Sequence, residues 1–150
     1  MSMDFLESVD DIRNYMFGGK AEFTLQSNVT GKHYTYRILS KNDDPDYPIK
    51  FLYVLSGSDN DSDWAYAGTV RMLKNNPSHE ITYNTTDKAK FTRTSPSMIA
   101  FRWAIWMLNK NTMSPMLSFL HSGKCSACNR KLTDPESIRT GMGPVCRSKL

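Results

Sequence analysis

The spacing of the three cysteines constrains this chain of 150 residues more than any other feature of its sequence. Cys125 and Cys128 form a Cys-x-x-Cys pair, and Cys146 follows a Gly-x-Gly-Pro segment. The turn inside such a pair aims both sulfurs at one point, and a third thiolate with a histidine completes a tetrahedral ligand set of borderline softness. We therefore predict a Zn²⁺ site formed by His121, Cys125, Cys128 and Cys146.

The fourth ligand is the least constrained member of this site. His121 is nearest to the cysteine pair, but His33, His79, Asp134 or a water molecule would also serve. A thioredoxin-type disulfide is disfavoured because no βαβ pattern surrounds the pair, and a deaminase centre is disfavoured because no Glu follows His121 at the required position. A closed structural site, and not an enzyme, is therefore expected.

The positive charge of the chain is concentrated in the same segment. The formal net charge is +4, and residues 121–150 hold six basic against two acidic side chains, while the first 120 residues are balanced at 13 of each. Such local charge suits phosphate contacts with DNA or RNA. We expect these contacts from Arg130, Lys131, Arg139, Arg147 and Lys149, with Arg37 and Lys90 upstream.

Hydrophobic periodicity predicts an α+β fold. The predicted elements are an opening helix over residues 4–16, a hairpin over 21–38, strands over 49–55, 64–72, 80–84 and 89–93, and an apolar helix over 96–108. Because the connections are too short for crossover helices, the sheet is predicted to be antiparallel. The expected organisation is an antiparallel β-sheet domain with an N-terminal and a central helix over residues 1–120, followed by a small zinc finger over residues 121–150.

The central helix is apolar on two opposite sides. Such a helix is either covered on both sides or presents a surface to a partner. We expect it to lie covered between the sheet and the C-terminal module. The alternative assigns Trp103 and Trp106 as anchors for a partner protein, because tryptophan is frequent at interfaces.

The N-terminal residues and the odd cysteine count bear on location. The N-terminal segment contains Asp4, Glu7, Asp10 and Asp11, whereas a secretory leader would be basic and then apolar. The three cysteines cannot all pair within the chain. The longest apolar stretch is too short to span a bilayer. We expect a cytoplasmic protein with no membrane partner.

The string from Cys125 to Cys146, with His121 ahead of it, resembles the short zinc module of an uncharacterised family found in bacteriophage and bacterial proteins. That family usually has glycine where this chain has Asn129. The upstream segments Phe23-Thr-Leu and Tyr34-Thr-Tyr-Arg-Ile are also similar. The resemblance implies a phage or mobile-element origin and a zinc site, but no established activity.

Together these features predict a phage-encoded, zinc-binding, non-enzymatic accessory protein that contacts nucleic acid through its basic C-terminal module in the host cytoplasm. The alternative is a protein–protein inhibitor or adaptor that acts on a host enzyme or defence complex. Apart from Arg37, Lys90, Trp103 and Trp106, the first 120 residues carry no functional assignment.

Overall fold

The computed structural model describes residues 4–6, 8–40, 49–57, 62–72, 80–85, 89 and 95–148, and it has the predicted α+β architecture. These residues form seven strands and four helices. In order, they are β1 (Asp4–Leu6), α1 (Val9–Met16), β2 (Lys20–Ser27), β3 (His33–Ser40), β4 (Ile49–Leu55), β5 (Trp64–Met72), β6 (Ile81–Asn84), α2 (Pro96–Asn109), β7 (Leu117–His121), α3 (Pro135–Thr140) and α4 (Pro144–Arg147).

The strands form one antiparallel sheet in the order β1-β7-β2-β3-β4-β5-β6. From β2 to β6 the sheet is a meander, as predicted. Strand β7 returns from the far end of the chain and pairs with both β1 and β2. The two edge strands, β1 and β6, are only three and four residues long.

The N-terminal segment differs from the prediction. The helix predicted over residues 4–16 begins only at Val9, because the Ser8 side chain caps it by accepting the Asp11 N–H at 3.4 Å. Residues 4–6 instead pair with β7. Strand β7 itself was not predicted, whereas the strand predicted over 89–93 falls almost entirely outside the described residues.

One face of the sheet, which we call the inner face, carries the main core. Rings from three adjacent strands stack across it: Phe23 lies 4.6 Å from Phe119 and 5.5 Å from Tyr36 between centroids. Helix α2 covers Tyr36 through Phe101, and α1 covers Phe119 through Tyr15. Both helices therefore lie on the inner face, and burial of these rings is the main favourable contribution to folding.

A buried arginine joins the two helices. The Arg13 guanidinium of α1 donates to the Leu108 carbonyl at the end of α2 and to Asn111 Oδ1 at 3.1 Å. The Leu108 carbonyl also accepts the Asn111 N–H at 2.9 Å, so the end of α2 is held by both a side chain and the backbone. Among the described residues, no helix combines the length and the apolar character needed to cross a bilayer.

The C-terminal segment has a small hydrophobic cluster of its own. Cys125, Leu132 and Met142 are its buried members, with Ile138 and Cys146 packed against them. This cluster is far smaller than the main core, as expected for a metal-stabilised unit. The division into residues 1–120 and 121–150 stays a prediction; β7 carries the sheet as far as His121.

Candidate metal centre

A short hairpin positions the first two cysteines. Lys124 and Lys131 pair as an isolated antiparallel bridge, the Cys125 N–H donates to the Arg130 carbonyl at 2.8 Å, and the Asn129 N–H donates to the Cys125 carbonyl at 2.9 Å. Asn129 has φ 66°, a left-handed conformation that asparagine tolerates better than most residues. We call residues 124–131 the knuckle.

The third cysteine comes from the first turn of α4. Gly143 precedes this helix, Pro144 begins it, and Cys146 follows two residues later. The Sγ atoms of Cys125, Cys128 and Cys146 all lie within 4.8 Å of one another. Cys125 is buried, Cys146 is half-buried and Cys128 is exposed, so the cluster opens towards solvent on the Cys128 side.

Hydrogen bonds and burial shift the pKa values of Cys125 and Cys146 in opposite directions. Burial opposes ionisation of Cys125, but backbone N–H groups of Gly143, Cys128 and Ala127 outweigh it and lower the pKa of this thiol. Burial raises the pKa of Cys146 to about 12, and its hydrogen bonds to Cys125 and Cys128 contribute. The surroundings therefore favour the thiolate form of Cys125 and the protonated form of Cys146.

The three sulfurs fit a thiophilic metal ion. Thiolates around a tetrahedral ion with metal–sulfur bonds of about 2.3 Å lie about 3.8 Å apart, which is compatible with this cluster. A groove of about 470 Å³ opens over the sulfurs, and Asp134 is one of its lining residues. Asp134 caps α3, with Oδ2 accepting the Ser137 N–H at 3.0 Å, and its carboxylate is not among the clustered ligand atoms.

His121 lies outside the cluster, which corrects the prediction that it is the fourth ligand. The residue ends β7 and points into the core, with its ring 5.4 Å from that of Tyr15. The Gly123 N–H donates to Nδ1 at 3.0 Å, so Nε2 carries the proton and donates to the Ile138 carbonyl at 2.7 Å. His121 thus connects the sheet to α3, with both ring nitrogens hydrogen-bonded to backbone.

Close backbone contacts dock the C-terminal module onto α1 and β2. The Lys20 N–H donates to the Ser126 carbonyl at 2.6 Å, and Ser126 lies against Gly18. Gly141 has φ 75° and lies against the Tyr15 ring, where a β-carbon would collide with the ring. Glycine is therefore required at position 141 both for its backbone conformation and for space.

The predicted nucleic-acid residues separate into two groups. Arg130 and Lys131 are exposed on the knuckle, whereas Arg139 and Arg147 both form ion pairs with Glu136, and Arg139 also lies 3.5 Å from Asp11. Arg37 pairs with Glu22 at 2.7 Å and lies on the sheet, beside the knuckle. Lys90 and Lys149 fall outside the described residues.

Sequence reasoning missed two further cations, Lys124 within the knuckle and Lys20 beside it. Lys20 and Lys124 line the cleft that contains Arg37 and Asn129. Lys124 lies one residue before the first cysteine, so its position near the metal centre could have been predicted from the sequence. The position of Lys20 becomes evident only when β2 docks against Ser126.

Helix α2 exposes one of its two apolar sides, which corrects the expectation that both are covered. Met98, Phe101, Ala104, Ile105 and Leu108 are buried as one side. On the other side Ile99 is 55% exposed, Trp103 38% and Trp106 56%. The Lys110 ammonium lies 4.7 Å from the Trp106 ring centroid, a cation–π contact at the end of this exposed side.

Comparison with known proteins identifies similarity in the C-terminal segment alone. Residues 115–150 match the model of a family of unknown function, DUF6011. No curated protein and no solved structure matches the chain. The matched range contains β7, the knuckle, α3 and α4, so the similarity covers the cysteine cluster together with the strand that carries it.

We predict that Gly141→Ala destabilises the protein more than a matched glycine substitution does. Gly31→Ala is the control, because Gly31 has a similar φ of 77° but open space around its β-carbon position. The left-handed backbone alone costs about 1 kcal/mol, and the collision with Tyr15 at Gly141 raises the loss to about 3 kcal/mol. Urea denaturation measures both variants, and equal losses would contradict the docking contact.

Metal binding should require the three cysteines and not His121. Single Cys→Ser variants at 125, 128 and 146 are expected to lose the thiolate-to-Co²⁺ charge-transfer absorption in part and to bind the metal more weakly. His121→Ala is expected to keep the Co²⁺ spectrum at saturating metal while losing about 2 kcal/mol of stability, because it leaves the Ile138 carbonyl unpaired. A shifted Co²⁺ spectrum in His121→Ala would restore His121 as a ligand.

Proposed function

We propose that this chain is a zinc-binding, non-enzymatic accessory protein that contacts nucleic acid through its knuckle. The observation that carries the proposal is the exposure of Lys124, Arg130 and Lys131, none of which has an ion-pair partner among the described residues. Three cations on a hairpin of eight residues provide the local charge that phosphate binding needs.

Zinc is the ion that best suits the cysteine cluster. Three thiolates favour a borderline-soft ion, and four-coordinate Zn²⁺ accepts a carboxylate oxygen or water as its remaining ligand. The small apolar cluster of the C-terminal module supports a structural role for the metal, because binding of structural zinc contributes about 10–16 kcal/mol in small peptides. Because no described His, Asp or Glu side chain joins the three sulfurs, a water molecule is the fourth ligand in this proposal.

The metal's function in this proposal is to hold the knuckle rigid. Cys125 and Cys128 lie within the knuckle and Cys146 lies in α4, so one ion joins the two segments. The knuckle cations are then presented in a fixed arrangement, which reduces the entropy lost on binding phosphate. The resemblance of the motif to phage and bacterial proteins is the basis for a mobile-element origin in this proposal.

The knuckle can be tested by fluorescence anisotropy with labelled DNA and RNA at two salt concentrations. The double variant Arg130→Ala/Lys131→Ala is expected to bind more weakly. Its slope of log affinity against log salt concentration is expected to be shallower by about 2, because two phosphate contacts are removed. Arg139→Ala is compared with the single variant Arg130→Ala, because each removes one charge but that of Arg139 is already paired with Glu136.

Two results would contradict this proposal. The first is absence of binding by the wild-type protein at low salt. The second is an equal loss of affinity in Arg139→Ala and in Arg130→Ala, which would show that net charge and not the knuckle governs binding.

The exposed side of α2 supports a second candidate function, binding of a host protein. Ile99, Trp103 and Trp106 follow helical spacing on one side of α2, and exposed tryptophans of this kind anchor protein interfaces. In this version the chain is an inhibitor or adaptor that acts on a host enzyme or defence complex.

A pull-down from a nuclease-treated host lysate tests the second candidate function. Wild-type protein is expected to retain a protein partner that the variant Trp103→Ala/Trp106→Ala loses. Val29→Ala is the matched control, because Val29 is 71% exposed and lies in the turn between β2 and β3. Retention of the same partners by the tryptophan variant would contradict this function.

A further inference from the structure

The face of the sheet opposite the two helices carries a group of half-buried aromatic side chains. Phe51 and Tyr53 come from β4, and Trp64 and Tyr66 come from β5. Strand alternation directs these rings away from the core residues Leu52 and Val54. Together with Arg37 of β3 we call these four rings the aromatic platform.

Contacts between neighbouring strands organise the aromatic platform. Arg37, Tyr53 and Tyr66 lie side by side in register on β3, β4 and β5. The Tyr53 and Tyr66 ring centroids are 5.7 Å apart, and those of Phe51 and Tyr66 are 6.3 Å apart. The Arg37 guanidinium lies 4.1 Å from the Trp64 ring centroid, so its planar group adds to the ring surface.

Positive charge borders the aromatic platform on the side of the knuckle. Lys20 and Lys124, both exposed, line a cleft of about 240 Å³ that also contains Arg37 and Glu22. Glu22 is already paired with Arg37, so the two lysines provide the net charge of this cleft. Aromatic rings therefore adjoin a cationic cleft, and the knuckle forms the far wall of that cleft through Lys124 and Asn129.

We propose that the aromatic platform binds single-stranded nucleic acid by stacking its bases. Unpaired bases stack on the Tyr53, Tyr66 and Trp64 rings, and the adjoining phosphates lie in the cleft between Lys20 and Lys124. This inference rests on the proposed nucleic-acid function and assigns its ligand: a single strand that runs from the sheet to the knuckle. Sheets that display aromatic rings beside cations bind single strands in this way, with little sequence preference.

Stacking predicts discrimination between single strands and duplexes. In a duplex the base faces are covered by neighbouring base pairs, so the rings of a sheet face cannot reach them. Knuckle cations contact phosphates in either form. Loss of the platform rings should therefore weaken single-strand binding alone, whereas loss of knuckle cations should weaken both.

The experiment uses the fluorescence of Trp64 in the full chain. Because the chain has three tryptophans, the variant Trp103→Phe/Trp106→Phe leaves Trp64 as the only one. A 12-nucleotide oligo(dT) and a duplex of the same length are titrated at low salt. We expect oligo(dT) to quench Trp64 fluorescence and the duplex to leave it nearly unchanged.

Substitutions at two platform tyrosines separate stacking from folding. Tyr53→Leu and Tyr66→Leu keep apolar bulk and are expected to weaken oligo(dT) binding about tenfold each, with duplex affinity unchanged. Tyr53→Phe and Tyr66→Phe are expected to bind as the wild type does. Thr69→Ala, on the same side of β5 opposite Phe51, is the control for a change without loss of a ring.

Unchanged oligo(dT) affinity in both leucine variants, or equal quenching by the duplex, would overturn the aromatic platform while leaving knuckle binding intact. Absence of binding to both oligonucleotides would instead refute the proposed function itself, and the platform with it. Circular dichroism of each variant verifies that the sheet is retained. Tyr→Phe variants that bind as weakly as the Tyr→Leu variants would also overturn stacking.

Discussion

The insertion of β7 between β1 and β2 is the interaction on which the rest of the structure depends. Its ladder joins residues 117–121 to residues 23–27, which are distant in sequence, so loop-closure entropy opposes it until the core forms. Phe119 then completes the ring stack on the inner face. The same strand delivers the chain to the knuckle, and His121 at its end holds α3 through the Ile138 carbonyl.

Internal ion pairs determine where positive charge remains available. Glu136 alone pairs with both Arg139 and Arg147, and Glu22 pairs with Arg37. Among the exposed cations, Lys20 and Lys124 line the cleft beside Arg37, whereas Arg130 and Lys131 line the groove over the three sulfurs. Net charge counted along the sequence therefore does not show which cations are already held in ion pairs.

Local patterns predicted most of the sheet and the central helix. Alternating residues in β2 to β5 and the Ser95-Pro96 start of α2 are short-range signals, and the structure has these elements as expected. Strands β1 and β7 were missed because each forms through long-range pairing that no local pattern contains. His121 was assigned as a ligand from its proximity in sequence, but strand direction turns its ring into the core. The aromatic platform depends on register between β3, β4 and β5, which the sequence does not display.

The shortness of the two edge strands limits how this sheet can engage other molecules. A long free edge would offer a row of backbone donors and acceptors to a partner strand, and it would also promote aggregation. Among the described residues, β1 and β6, at the two ends of the sheet, present only three and four residues. Recognition by strand addition is thus disfavoured, and side chains on the faces of the sheet and on α2 become the means by which this fold can acquire and change partners during evolution.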